Sequence, residues 1–324
     1  IDIYKKNSLI EYIDQNSPSS QARESPSITV KTEFIDLKVN NLNVMTKLKT
    51  IESVKNFIEL IITDDDNKDA NRINFYRGHS NSDYKLEPSL LRKNTNTGEF
   101  FYLEQEDIIY RELLSNNFND FHEDSSTFDR LVRMQHFSLP TRLLDITSNP
   151  LIALYFACKG NEDKEADVIS INVSNKSIKY FDSDTATCIA NLCKLTLVEK
   201  EKIDFQSEDE NHKKIMERLL HYIKEDKPYF EDRIKDNIKD VICIKSKFTN
   251  PRINAQSGSF LLFGLDAKLE DENDFDFKIN HYLIQPENKS KILRELDLLN
   301  INESTVFPYL ENSAKYISNK FKKN

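Results

Sequence analysis

The chain has no apolar run long enough to cross a bilayer, no cysteines in CxxC spacing and no glycine-rich phosphate loop. Each absence removes a class of protein. A transmembrane helix needs about 20 consecutive apolar residues, so no membrane span is expected, and nothing at the N-terminus reads as a signal peptide. The four cysteines, Cys158, Cys188, Cys193 and Cys243, sit singly inside apolar periodic segments. That placement predicts buried free thiols of a reduced cytoplasm rather than disulfides or a zinc site. The five glycines form neither GxGxxG nor GxxxxGK[ST], which excludes the dinucleotide-binding turn and the P-loop. There is no GxSxG elbow, and the six histidines lack metal-ligand spacing, so no metal is expected. Basic charge is also short: 45 Lys and Arg face 54 Asp and Glu, a net charge of −9. A general nucleic-acid binder has to neutralise phosphates, so this balance argues against one, though not against a local basic pocket.

What is present is a polar globular chain, 38% hydrophobic and 31% charged, whose 324 residues suffice for a sizeable core in one large domain or two small ones. Residues 1–45 read as an N-terminal arm, weakly ordered or docked on a partner, with Ile28–Ile35 alternating as a strand. Residues 46–324 read as one domain. Helical periodicity runs from Ile51 through Val54, Phe57, Ile58 and Ile61, and recurs over 102–117, 185–195, 209–224 and 289–299, with a terminal helix over 303–322. Strands are expected over Ile73–Gly78, Thr141–Ile146, Ala166–Val173, Val241–Lys245 and Phe277–Ile284, with Ser177–Phe181 as the hairpin partner of Ala166–Val173. Residues 250–263 read as a helical turn feeding a strand through Gly258. The acidic runs 64–69 and 270–276 read as solvated loops. Mixed in this order, the elements predict the α+β class, with helices mostly in the first half.

The richest stretch is residues 128–157. Phe128, Leu131 and Val132 fall at helical spacing, and Ser138-Leu139-Pro140 interrupts them, because the residue before a proline is pushed out of the helical region. An extended run follows, and then Asn149-Pro150 gives an N-cap with proline at the first helical position. Leu151, Leu154 and Tyr155 carry the next helix, with Ala153 and Ala157 allowing close approach. Helix, corner, polar extended run and buried helix together form a rigid frame for His136, Arg142, Asp145, Thr147 and Ser148.

Phe75-Tyr-Arg-Gly78, Leu86-Glu-Pro-Ser-Leu90, Gln135-His-Phe-Ser-Leu-Pro-Thr-Arg-Leu-Leu-Asp145 and Thr147-Ser-Asn-Pro-Leu-Ile-Ala-Leu-Tyr-Phe-Ala157 resemble the FRG domain, named for its aromatic-Arg-Gly motif. Arg252–Phe260 and Ile301–Pro308 extend the resemblance, which covers about 50 to 320. Ile146 stands where that pattern commonly has Trp, and His79 where it commonly has Gln. A second resemblance is to ADP-ribosyltransferases of the Arg–Ser–Glu type. It implies a single domain on a split, bent β-sheet surrounded by helices, with NAD as substrate. In that resemblance Tyr76-Arg77-Gly78 is the first element and Thr147-Ser148 with Ala153–Ala157 the second. Gln256 stands at the position of the catalytic Glu.

The resemblance assigns NAD-binding roles to Tyr76, Arg77, Gly78, His79, Arg142, Thr147 and Ser148, and catalytic roles to Gln256, Asp145 and His136. A guanidinium at Arg77 suits phosphate or ribose by bidentate hydrogen bonds. Gln256 is neutral and lacks the charge that stabilises an oxocarbenium ion, a charge Asp145 could supply. Structural alternatives stand beside these roles. Arg142 and Asp145 could pair to pin the corner, Thr147 and Ser148 could cap the following helix, Gln256 could form a strand-entry turn, and His136 could be a hydrogen-bonded core residue. Functionally the resemblance implies an ADP-ribosyltransferase or NAD glycohydrolase in bacterial toxin or anti-phage settings, with a protein regulator or antitoxin as partner. The alternative is a nucleotide- or partner-binding sensor without chemistry.

Overall fold

The computed structural model describes residues 49–65, 71–207, 209–231, 234, 236–245, 247, 251–265, 268–269 and 276–322. The arm at 1–45, the strand at 28–35 and most of the two acidic runs lie outside them. The described residues form one eight-stranded mixed sheet with eleven α-helices around it, consistent with the α+β class.

The strands are β1 (Lys49–Thr50), β2 (Arg72–His79), β3 (Leu143–Thr147), β4 (Ala166–Ser174), β5 (Ile178–Tyr180), β6 (Val241–Lys245), β7 (Gly258–Phe263) and β8 (Phe277–Ile284), in the spatial order β1-β8-β4-β2-β3-β7-β6-β5. Pairing is antiparallel except at the two edges, where β1 runs parallel to β8 and β5 parallel to β6. The hairpin expected between residues 166–173 and 177–181 does not form. Instead β5 leaves β4 and pairs with β6, Ile178 opposite Cys243, so that its side chains meet the core of the distant half of the sheet.

The middle of the sheet is its narrowest place. β2 and β4 share eight registered residue pairs from Arg72↔Ser174 to His79↔Asp167, whereas β2 and β3 share only Tyr76↔Thr147. Beyond that pair the two strands diverge. The two halves of the sheet meet at this single pair.

The helices follow their caps. Ser126 accepts from the Asp129 amide to start α3 (Thr127–His136). Ser138 then takes a left-handed φ of 65° and Leu139 bonds back to Met134, which ends the helix as a glycine would and turns the chain into Pro140. Asn149 caps α4 (Pro150–Cys158), and Pro150 occupies its first turn as expected. α4 is buried nearly all round, as suits a helix enclosed between a sheet and other helices. The remaining helices are α1 (Val54–Asp65), α2 (Glu106–Asn116), α5 (Asp184–Asn191), α6 (Leu197–Glu201), α7 (Glu210–Asp226), α8 (Pro251–Ala255), α9 (Pro286–Leu298), α10 (Glu303–Val306) and α11 (Leu310–Phe321). Among the described residues seven of the eleven helices lie in the second half of the chain, where the sequence reading expected most in the first. The terminal helix is two helices, because Pro308 lacks the amide that would continue α10.

Because Tyr76 and Thr147 are register partners, their side chains share one face of the sheet. On that face sit two separate apolar clusters. Tyr76, Ala166, Val168 and Tyr282 pack with α1, α4 and α9, while Leu143, Ile242, Phe260 and Leu262 pack with α3, α5 and α7. The split in the sheet runs between them. The opposite face carries a third cluster built on Phe75, Leu144, Ile169 and Leu261, against which Leu86 and Leu91 pack. All four cysteines are free and buried, as expected, and burial pushes the thiols of Cys158, Cys193 and Cys243 up to about 12, which keeps them inert.

Candidate functional site

A cleft of about 210 Å³ opens between the two helical clusters, at the point where β2 and β3 part. Tyr76, Arg77 and Gly78 come to it from β2, and Asp145, Ile146 and Thr147 from β3. α3 contributes Val132, Gln135 and His136, α4 contributes Ile152, Ala153 and Phe156, and α8 with the turn after it contributes Arg252 and Gln256.

Arg77 bridges the gap. Its Nη1 donates to the Asp145 carbonyl at 2.5 Å and its Nε donates to His79 Nε2 at 3.0 Å. Burial holds the guanidinium below its ordinary value, against the opposing pull of Asp145. Burial, and after it the Arg77 charge, drive His79 down to about 3. The imidazole is therefore neutral at ordinary pH and offers Nε2 as an acceptor, which fixes the Arg77 rotamer. His79 Nδ1 is buried without a hydrogen-bond partner.

Asp145 is held from the other side. Gln135 Nε2 donates to Asp145 Oδ2 at 2.9 Å, and Thr141 Oγ1 donates to Gln135 Oε1 at 2.8 Å, so the amide is oriented at both ends. Asp145 is the one carboxylate among the described residues of the cleft wall. His136 Nε2 lies 2.6 Å from the Tyr309 hydroxyl. Burial first, then Arg252 and Arg133, lowers its pKa, so that it too favours the neutral form. Across the cleft, Arg252 stacks 5.5 Å over the Phe307 ring, which meets Phe156 edge-on at 5.8 Å.

The residues singled out from sequence fall into three groups. Tyr76, Arg77, Gly78, Asp145, Thr147, His136 and Gln256 converge on the cleft wall. Thr147 and Gln256 do so with their polar groups committed. Thr147 Oγ1 donates to the Gln256 carbonyl at 2.6 Å and accepts from the Asn149 amide, while Gln256 Nε2 donates to the Val306 carbonyl at 3.2 Å. His79, Arg142 and Ser148 are not on the wall. Ser148 is exposed and bonds the Ser257 carbonyl.

Arg142 is buried and donates from Nε and Nη2 to both oxygens of Glu106 and from Nη1 to the Phe263 carbonyl. It therefore pairs with Glu106, not Asp145, and is buried away from the cleft wall. Gly78, on the cleft wall, also has a packing role. A Cβ there would stand 2.0 Å from the Ala153 carbonyl oxygen, so the missing side chain lets α4 approach β2 rather than a ligand.

Gln135, Arg252 and Tyr309 escaped the sequence reading. Gln135 and Arg252 lie inside the two quoted motifs, so their spacing was in view, but a glutamine on a helix and an arginine on a five-residue turn carry no signal by themselves. Tyr309 reaches the site from the C-terminal segment, a contact no local pattern encodes.

Residues 72–166 match the family model of the FRG domain. That span holds β2, α2, α3, β3 and α4, and with them every cleft residue that precedes α8. No curated protein and no solved structure matches the chain.

Proposed function

We propose that the cleft binds the nicotinamide-ribose end of NAD and that the chain consumes NAD, passing ADP-ribose to an acceptor or to water. The observation that carries this reading is the convergence of Arg77 and Arg252 with Asp145 on one enclosed cleft. Two guanidinium groups suit the negative charge of a dinucleotide, and the aromatic Phe156 suits its flat ring. At about 210 Å³ the cleft is smaller than the roughly 300–1,000 Å³ of a drug-sized ligand pocket, so it encloses one end of the dinucleotide and leaves the rest outside.

Chemistry at that end needs a negative charge near the ribose. Gln256 has none and its amide serves Val306, so Asp145 takes the part. As the bond from the ribose C1′ to nicotinamide breaks, the electron pair leaves with nicotinamide and the Asp145 carboxylate stabilises the cationic sugar. The acceptor oxygen then adds to C1′ and gives its proton to Asp145 or neutral His136. Bacterial toxin or anti-phage defence, with a protein regulator holding the activity in check, is the setting implied by the resemblance. Among the described residues no helix is long and apolar enough to cross a membrane.

The test is nicotinamide release and label transfer from NAD by the pure protein in cell extract. Asp145→Asn keeps the Gln135 contact and removes the charge, so the rate is expected to fall about 100-fold or more with little change in NAD affinity. Arg77→Ala is expected to lose binding itself. A wild-type rate in both variants would overturn the reading. Binding of NAD with no release by wild-type protein would favour a nucleotide sensor, a reading supported by the neutral Gln256 and by an Arg77 already engaged on two sides.

A further inference from the structure

A second hollow, of about 470 Å³, lies at the β5 edge of the sheet, away from the cleft. Its wall carries Lys176, Lys179, Lys239 and Lys268 against two acids, Asp240 and Asp276. In a chain with a net charge of −9 this is a local reversal of sign. The side chains of Lys176, Lys179 and Lys268 have no ion-pair or hydrogen-bond partner among the described residues, while the Lys176 amide donates to Ser174 Oγ. Four ammonium groups against two carboxylates leave the wall with an excess of positive charge, which raises the local concentration of anions.

A second observation points the same way. Ser177 is only 7% exposed and lines the hollow, yet its hydroxyl bonds to nothing among the described residues. Its backbone is fully used: its amide donates to Ser174 and its carbonyl accepts from Cys243, which fixes the side chain beside β6. That hydroxyl is left to solvent and can donate to a bound acceptor. Thr185, from the first turn of α5, and Asn237 also line the hollow, where Asn237 Nδ2 donates to Thr185 Oγ1 at 3.3 Å. Ammonium groups and hydroxyl donors around one hollow fit a group with several charged oxygens.

We infer that the hollow formed by Lys176, Ser177, Lys179 and Lys268 binds an oligophosphate group, as inorganic polyphosphate or on a nucleoside. This site is independent of the NAD reading, since it shares no residue with the cleft.

The experiment measures binding of sodium tripolyphosphate and of adenosine triphosphate by calorimetry, with the full chain carrying Arg77→Ala so that the cleft does not contribute. Both ligands are expected to bind, and more weakly as salt rises. The triple variant Lys176→Ala/Lys179→Ala/Lys268→Ala is expected to bind at least tenfold more weakly with an unchanged melting temperature. Lys55→Ala, at an exposed lysine elsewhere, is expected to change nothing. Equal affinities would assign inorganic oligophosphate, and tighter adenosine triphosphate a nucleoside phosphate. The inference is overturned if the Arg77→Ala protein binds neither, or if the triple variant binds as tightly as its parent.

Discussion

Replacing Glu106 by Gln is expected to destabilise the fold by about 3–5 kcal/mol, a large part of the roughly 5–15 kcal/mol that holds a domain folded. Glu106, Arg142 and Lys200 are 4%, 2% and 7% exposed, and Glu106 is the counter-charge for both cations. Neutralising it leaves two buried positive charges with no carboxylate, which is the costly way to break such a group. The group joins α2, α6 and the entrance to β3, so its failure would release the strand that carries Asp145. Urea unfolding followed by circular dichroism reads the effect. A loss below about 1 kcal/mol would refute it. Replacing all three residues by apolar ones of similar size is expected to cost less than Glu106→Gln alone, because no charge is stranded.

The same triad sets a pH dependence. Burial raises the Glu106 carboxyl, but the charges and hydrogen bonds of Arg142 and Lys200 outweigh it and hold the group below its ordinary 4.5. A carboxylate depressed in the folded state contributes its stability in full above the unfolded-state value. It loses that contribution as pH falls through the lower folded-state value. This corner is therefore expected to hold through neutral and mildly acid pH and to weaken below about 4.5, an acid limit that Glu106→Gln would abolish.

Gly78→Ala is the second substitution with a large expected effect, a loss of about 3 kcal/mol. The added carbon would meet the Ala153 carbonyl oxygen at 2.0 Å and the Ala157 amide nitrogen at 2.6 Å. Both are backbone atoms inside α4, so no side chain can swing away and the helix itself has to lift off β2. Ile152, Ala153 and Phe156 would move with it, and ligand affinity at the cleft is expected to fall along with the melting temperature. Unchanged stability would show that α4 tolerates displacement.

Much of this frame was legible in the sequence because its signals are local. Asn149-Pro150 marked the start of α4, the Ser138-Leu139-Pro140 corner marked the end of α3, and alternation marked β4 and β8. What was not legible depends on partners far along the chain. Arg142 looked like a ligand for phosphate because its partner Glu106 sits in what reads as an ordinary exposed first helical turn. Residues 177–181 looked like a hairpin because proximity in sequence is the default for strand pairing, and only the fold places Val241–Lys245 beside them. Within the site, Arg77 and Asp145 came through as residues, but their linkage across the sheet, through a carbonyl rather than a carboxylate, is a matter of register.

The divided sheet also bears on how the chain can be made. The strands on one side of the divide are β1, β8, β4 and β2, and those on the other are β3, β7, β6 and β5, so the chain passes from side to side at β2–β3, β3–β4, β4–β5 and β7–β8. Neither side is a continuous stretch of polypeptide. β4 has to wait for β8, with Val173 pairing to Phe277, and β3 has to wait for β7, with Thr147 pairing to Gly258. Closing loops of that length before the contacts reward them slows folding. On the ribosome, the edge of β4 stays open until nearly the whole domain has emerged, exposed to neighbouring nascent chains. Any truncation before β8 would leave that edge permanently bare.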